Sequence, residues 1–538
     1  MNSKAQTIGR NIHPILEWAI LVLLVSGYFF WLSANTVYSA SANGRLVEVF
    51  EDDEYQHFVA VRNALDERSI CIDWTAYGHL YFNAILWPLI LVQIFTPISD
   101  QAIIVALRYG STFFSVLTVI FTYILARRYW GRLAGWVSAI SLTILPFSFN
   151  YWSVTSHPDT PQMFFIVGSL FGCCEFVIKR QERWLYVAGF IAGLAFSTKY
   201  GGLFILPIIG LLSILPPEDF SIKPNIELFQ WNNLVRALRR IFLIGISFAL
   251  AFLISSPCSI IGWQFIDGIV REANHVGFGH MFQSSTGNFE WFTILFSSNL
   301  LGVFSGVLVV FALGLYIGKI VHSRELTIFT PQGVLWIWVL LFFGFVFVRL
   351  NYRTDRYLFL ILPFLFILSS LLIVEMVNYI KENQSLNSKF HYTVFLVIVI
   401  LSGSVFYEGF GRQIELINTR IQREQNNPVI ESGLWLEKNY PASTRILYDK
   451  YSYIPPKFKL VQGSYGMDET MLINFHPKLV VINIGIRGMY TNSRDAAFFG
   501  EGVEKFMDIY NFYDQMEKQE LGYRLVKDFG IIRIFEKE

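Results

Sequence analysis

The sequence predicts an α-helical polytopic membrane protein, with about eleven transmembrane helices and a C-terminal extracytoplasmic α/β domain. Three observations carry the prediction. Of 538 residues, 54% are hydrophobic and 15% charged, where soluble domains carry roughly a quarter charged residues. Aromatic residues reach 17%, as 51 Phe, 26 Tyr and 14 Trp, which suits a chain solvated by lipid with rings at the interfaces. Long apolar runs recur through residues 1–410 and then stop. Soluble, fibrous and disordered classes are thereby excluded. The charges balance at 42 Lys+Arg against 41 Asp+Glu, so no basic field invites a nucleic-acid partner. The 4 cysteines supply neither a disulfide framework nor zinc spacing. Cys173 and Cys174 lie in an apolar run and read as packing, and pairing of Cys71 with Cys258 is not the favoured reading.

A spanning helix needs about 20 apolar residues, because lipid cannot satisfy the backbone. The first is Ile15–Ser33, with Lys4 and Arg10 before it placing the N-terminus inside. Ser39-Ala40-Ser41-Ala42 resembles a signal-cleavage region, but the apolar run is long for a signal peptide. Further runs follow at Gln101–Ala126, Leu133–Asn150, Gln162–Ile178, Trp184–Phe196 and Leu203–Leu215. Others lie at Ile241–Ser255, Phe292–Ile317, Val334–Val348, Tyr357–Met376 and Tyr392–Phe406. Basic loops at Arg127/Arg128/Arg132, Lys179/Arg180/Arg183, Arg236/Arg239/Arg240, Lys319/Arg324 and Lys381/Lys389 all fall inside if the spans alternate. Leu80–Phe95 would reverse that count if it crossed, so it is read as lying along the outer interface, where Trp74, Tyr77, Tyr81 and Trp87 suit it. Residues 411–538 are charged throughout. They read as a small α/β domain with a helix around Leu434–Leu436 and strands at Arg445–Tyr448, Leu479–Ile484 and Ile531–Phe535.

Three outer segments carry polar residues that need a reason. The first outer loop, about residues 36–100, holds Glu51-Asp52-Asp53-Glu54-Tyr55-Gln56-His57. Adjacent carboxylates raise one another's pKa and are costly beside a membrane unless a cation, proton or substrate uses them; the bland alternative is a solvated acidic loop. Ser156-His157-Pro158-Asp159-Thr160-Pro161 puts an imidazole and a carboxylate at the membrane edge, although Asp159 alone reads as a helix cap. Arg349, Tyr352, Arg353, Asp355, Arg356 and Tyr357 form a basic cluster on the outer side, against the positive-inside trend. Arginine forks suit phosphate; pairing within the cluster is the competing reading. Lys199 adds a cation between two spans, or a snorkelling side chain. His275 and His280, with Arg271 and Glu272, stand in a long outer loop and read as water-facing or as lining an acceptor path. Carboxylates beside cations at one membrane face suit a lipid-phosphate-linked sugar: a carboxylate serves as general base on an acceptor hydroxyl, and cations stabilise the departing phosphate.

With these residues in hand, the chain resembles the GT-C class of integral-membrane glycosyltransferases. Within it the likeness is to protein O-mannosyltransferases and aminoarabinose transferases, whose bacterial branch is labelled RgtA/B/C/D-like. The resemblance covers about residues 10–410. It rests on Asp53-Glu54-Tyr55, Arg127-Arg128-Tyr129-Trp130-Gly131, Asp159-Thr160-Pro161, Gly193-Leu194 to Thr198-Lys199-Tyr200, and Arg356-Tyr357 to Pro363. It implies a transmembrane catalytic domain over 1–410 and inverting transfer, on the outer face of the plasma membrane, from a polyprenyl-phosphate sugar. The base would be Asp53, or Asp52 in the other register, with Glu54 beside it. Asp159 and His157 would form a second acidic motif. Arg353, Arg356, Tyr357, Lys199 and His79 would bind the donor phosphate. The family's Lys-Pro-Pro stretch is replaced by Tyr77-Gly78-His79, so Arg353, Arg356 or His79 would take that lysine's place. A divalent metal on Asp53, Asp159 and His157 is compatible with the residues but not required by them. The acceptor stays open among glycans, lipids and proteins. A transporter or flippase of lipid-linked substrates is the alternative; it predicts charges near the midplane and internal repeats, and neither is seen in the sequence. A sensor whose outer domain binds a ligand is a third reading.

Overall fold

The computed structural model describes residues 14–214, 231–260, 263–278, 288–323, 329–351, 353–382, 388–425, 427–490 and 503–538. Helix α1 (Pro14–Thr36) is followed by short helices α2 (Gly44–Phe50), α3 (Asp52–Asp66) and α4 (Leu80–Gln93). Then come α5 (Asp100–Trp130), α6 (Arg132–Ile144), α7 (Phe147–Ser153), α8 (Asp159–Lys179), α9 (Arg183–Thr198), α10 (Leu206–Ser213) and α11 (Trp231–Ser255). The run continues with α12 (Pro257–Ile260), α13 (Gln264–Phe278), α14 (Glu290–Phe296), α15 (Gly302–Ser323), α16 (Pro331–Arg349), α17 (Leu362–Glu382) and α18 (Ser388–Gln422). Tight 3-10 turns at Tyr200–Ile205 and Asp355–Ile361 lead into α10 and α17.

Among the described residues 7 helices are long and apolar enough to cross a membrane, or 8 if α6 and α7, bent by 73°, count as one span. The sequence led to about eleven. The difference lies partly in α9, which has only 16 residues, and in the broken apolar segment Tyr200–Ser213; the run at 392–406 lies within the long α18. Helix α4 has 14 residues with Pro88 inside, about 21 Å at 1.5 Å per residue. That is shorter than a hydrocarbon core of roughly 30 Å.

Ion pairs define the two ends of the bundle. At one end Glu17 of α1 meets Arg127 at 3.0 Å and Arg132 at 2.9 Å, and Glu175 meets Arg128 at 2.9 Å. Glu182 holds Arg239 at 2.8 Å and Arg240 at 2.9 Å. Three expected basic loops thus share one face. The α5–α6 corner there turns on Gly131, whose φ of 92° is open to glycine but strained for other residues. Lys4, Arg10, Arg324, Tyr352 and His280 lie outside the described residues, as do the side chains of His275, Lys381 and Lys389.

The opposite end carries α2–α4, α12–α13 and the C-terminal α/β unit. Cys71, in the loop before α4, is bonded to Cys258 of α12, which corrects the expectation that they stay apart. The α/β unit adds helices α19 (Pro428–Asn439), α20 (Glu469–Phe475), α21 (Ile484–Tyr490) and α22 (Val503–Glu517) to five strands. The strands are β1 (Ile446–Asp449), β2 (Val461–Ser464), β3 (Leu479–Asn483), β4 (Tyr523–Asp528) and β5 (Ile532–Lys537). Their order is β2-β1-β3-β5-β4, with β1 parallel to β2 and β3 and β5 antiparallel to its neighbours. Strands β1, β3 and β5 match the expected ones; the two edge strands were not expected. One face of the sheet shares a single apolar cluster with the first loop: Ala40, Leu46 and Val49 pack with Val429, Leu436, Ile446, Tyr448 and Ile534.

Candidate active site

The acidic run is not a loop. Asp52, Asp53 and Glu54 form the first turn of α3, where the helix dipole favours negative charge. Helical geometry then sends each carboxylate in a different direction. Glu54 turns inward to Arg108 of α5, with Arg108 Nε donating at 2.8 Å and Nη2 at 2.5 Å. Both side chains are buried, and Ser156 N–H donates to Glu54 at 2.7 Å. Burial raises the Glu54 carboxyl, but the charge and hydrogen bonds of Arg108 outweigh it and hold it below its ordinary value. Glu54 therefore secures α3 to α5 and the 156–159 turn. Asp52 turns away to Lys450, 3.0 Å distant, just beyond β1. Glu51 accepts from the Tyr151 hydroxyl at 3.1 Å; burial, then the charges of Asp53 and Glu54, push its carboxyl up.

Asp53 alone of the four faces the centre of the bundle end. Arg356 Nη1 donates to its Oδ2 at 2.7 Å, and His157 Nε2 stands 3.7 Å from the same oxygen. Burial would raise this carboxyl; the Arg356 charge and the contact with His157 overcome it and hold Asp53 well below the usual carboxylate range. Its side chain keeps 40% of its exposure, so an ionised oxygen stays reachable. Arg356 Nη1 also lies 2.9 Å from His157 Nε2. On its other side His157 Nδ1 lies 2.9 Å from Asp159 Oδ2. The other Asp159 oxygen takes Lys199 Nζ at 2.8 Å.

Aromatic rings frame these charges. Lys199 Nζ sits 5.1 Å from the Tyr77 ring and 5.0 Å from that of Tyr357, and Arg356 lies 5.1 Å from Trp152, distances at which a cation is drawn to a ring face. His57 is buried at the back of the group. Its Nδ1–H donates to the Ser156 carbonyl at 3.0 Å, and burial, followed by the His157 charge, lowers its pKa to about 3, so it stays neutral.

Asp159, Lys199, Arg356 and Tyr357 line a cavity of about 180 Å³. Its remaining wall is largely apolar, with Leu203, Phe204, Phe342 and Phe345 among its residues. Glu272 of α13 also reaches it. Arg356 is buried, and among the described residues its Nε finds no acceptor. An orphan guanidinium donor and an ammonium at one end of an apolar cavity suit an anionic head on an apolar tail.

Of the expected site residues, the structure gathers Asp53, His157, Asp159, Lys199, Arg356 and Tyr357. It leaves four elsewhere. Asp52 and Glu54 are paired as described. Arg353 faces Glu290 at 3.2 Å. His79 is buried, its Nε2 at 2.8 Å from the Trp74 carbonyl. For a metal the residues present fit poorly. Asp53 Oδ2 and Asp159 Oδ1 are each engaged by a protein cation, and among the described residues no group of three His, Cys, Asp or Glu side chains is arranged to hold an ion. The sequence reading passed over Arg108 and Lys450. Arg108 is an ionised residue inside an apolar run, and that alone is a functional signal.

Residues 86–226 match the sequence model of the family described as dolichyl-phosphate-mannose-protein mannosyltransferase. No curated protein matches the chain by sequence. Among solved structures the chain is similar to ArnT from Cupriavidus metallidurans in the apo state, with a TM-score of 0.54 at 13% identity, covering 97% of this chain and 98% of that one. ArnT bound to undecaprenyl phosphate is similar at a TM-score of 0.51 and 11% identity, covering 96% and 98%. The archaeal oligosaccharyltransferase AglB from Archaeoglobus fulgidus, in complex with an inhibitory peptide and a dolichol-phosphate, is similar at a TM-score of 0.56 and 13% identity, covering 91% and 72%. The chain thus has the fold of a polytopic membrane protein, shared with ArnT over 97% of its length and with AglB over 91%.

Proposed function

We propose that the protein is an inverting glycosyltransferase that moves a sugar from a polyprenyl-phosphate-linked donor to an acceptor at the outer face of the plasma (inner) membrane. The observation that carries this reading is the convergence of Lys199 and Arg356, whose Nε has no acceptor among the described residues, on one apolar-walled cavity, with Asp53 bonded to the same arginine. The lipid phosphates bound by ArnT and AglB in their structures support a lipid-linked donor here. In the proposed step Asp53 takes the proton from an acceptor hydroxyl as that oxygen attacks the anomeric carbon. The bond from carbon to phosphate oxygen breaks with its electron pair on the phosphate, which Lys199 and Arg356 receive. Attack opposite the leaving group inverts the anomeric centre. Protonation of the leaving group is not needed, since a phosphate departs as an anion. His157 and Asp159 orient Arg356 and Lys199 by the contacts already given.

Two features support the outer face. The basic loops gather at the opposite end of the bundle from Asp53, as the positive-inside rule asks. The Cys71–Cys258 disulfide lies on the Asp53 side, and disulfides persist in oxidising compartments. The deciding experiment offers a panel of radiolabelled polyprenyl-phosphate sugars to membranes carrying the wild-type protein or Asp53→Asn. Label moving to product with wild type and not with the variant is the expected result. Equal transfer by both would remove Asp53 as the base.

A further inference from the structure

We propose that Lys450, which belongs to the α/β unit, is a positioning residue for Asp53, clamping the corner between α2 and α3. The inference rests on the reading of Asp53 as the base. Lys450 Nζ donates to Glu48 of α2 at 2.7 Å and to Asp52 of α3 at 3.0 Å. It therefore bridges two helices that meet at a single extended residue, Glu51, with φ −157° and ψ 97°. Asp53 is the next residue after the bridged Asp52, so the corner angle sets where its carboxylate points. The clamp is reinforced from the same strand. The Tyr448 hydroxyl donates to Glu48 at 3.1 Å, and Arg45 Nη1 donates to that hydroxyl at 2.7 Å. Glu48 is buried and Lys450 is only 14% exposed, so this bridge is shielded from the salt screening that weakens exposed pairs.

The arrangement also answers an electrostatic question. Three acids in the first turn of one helix repel one another, and each here has its own cation: Arg108 for Glu54, Arg356 for Asp53, Lys450 for Asp52. Only the last is supplied from beyond the transmembrane helices. Asp53 can thus hold its geometry only while the α/β unit is seated on α2. A general base must lie within hydrogen-bond reach of its proton, and misplacement by about 1 Å can cost on the order of 100-fold in rate.

The test is steady-state kinetics of full-length wild type, Lys450→Met, Lys450→Arg and Asp53→Asn, with a labelled polyprenyl-phosphate sugar as donor. Lys450 touches neither the cavity nor Asp53. Lys450→Met is therefore expected to lower kcat by ~10-fold or more, within the range that misplaced groups produce, with donor KM essentially unchanged. Lys450→Arg should recover most of kcat. Wild-type kcat in Lys450→Met alongside an inactive Asp53→Asn overturns the inference and leaves the proposed function standing. Equal losses in Lys450→Met and Lys450→Arg with a raised donor KM also overturn it, since general damage would do that. Full activity in Asp53→Asn defeats the proposed function and this inference with it. Should Lys450→Met not fold, Asp52→Ala removes the bond nearest the base and must reproduce the kcat loss at constant KM; wild-type kinetics there overturn the clamp.

Discussion

At the scale of single residues, the site turns on which way neighbouring carboxylates point. Asp52 and Asp53 are indistinguishable in sequence, and only the start of α3 and the positions of Arg356 and Lys450 separate them. The same holds for Arg353 and Arg356, three positions apart, of which one meets Glu290 and the other Asp53. The residue types of the site were legible; their partners, brought from distant helices, were not. Lys199→Met is expected to raise donor KM several-fold or more, because Lys199 lines the cavity; the dependence of initial rate on donor concentration checks it. Glu54→Gln should destabilise the protein by about 3–5 kcal/mol, the cost of leaving a buried charge unpaired, here Arg108. Thermal unfolding in detergent measures that. The pH dependence has a definite sign. The Glu54 carboxyl is held below its ordinary value, so its contribution is complete above about pH 4.3. It is lost as pH falls through the lower folded-state value, and Glu54→Gln should flatten that acid limb.

At the scale of elements, the outer layer over the cavity is fixed by covalent and steric contacts. Cys71–Cys258 ties the loop before α4 to α12. A Cβ at Gly268 of α13 would collide with the Thr75 carbonyl and the Tyr200 hydroxyl, so α13 seats directly on both. Replacing Cys71 and Cys258 together by Ser should cost about 2–4 kcal/mol, read as a lowered unfolding midpoint that wild type shows only under reducing conditions. Gly268→Val should displace α13, with Glu272, from the cavity and weaken donor binding; equilibrium binding of the lipid phosphate tests this. The pairing of the two cysteines was not legible, because nothing local brings residues 187 apart together. Strands β2 and β4 were missed for a related reason. They are the edges of the sheet, and with exposed or half-exposed patterns they carry little of the apolar signal that marks β1 and β3.

At the scale of the molecule, composition and the order of apolar runs reveal the class of fold. Among the described residues fewer helices than apolar runs have the length of a span, because short and broken helices near Lys199 have the hydropathy of spans without the length. The boundary near residue 411 marks a change of composition, with one core before it and one after it, and a further apolar cluster crosses it. Ala40, Leu46 and Val49 of the first loop are buried against the sheet. Residues 1–410 expressed alone are therefore expected to lose transfer activity and to be cleaved by protease between residues 36 and 52, where the full chain resists. A full-length digestion pattern in the truncated protein would refute this shared core. The same packing has a consequence for biosynthesis. The ribosome delivers α2 well before the strands that cover it, with Glu48 and Tyr448 separated by 400 residues. Over that interval the chain presents Leu46 and Val49 uncovered on the site side, and the Asp53 corner has no clamp. On the proposed reading, activity begins only when these strands fold back onto the first loop.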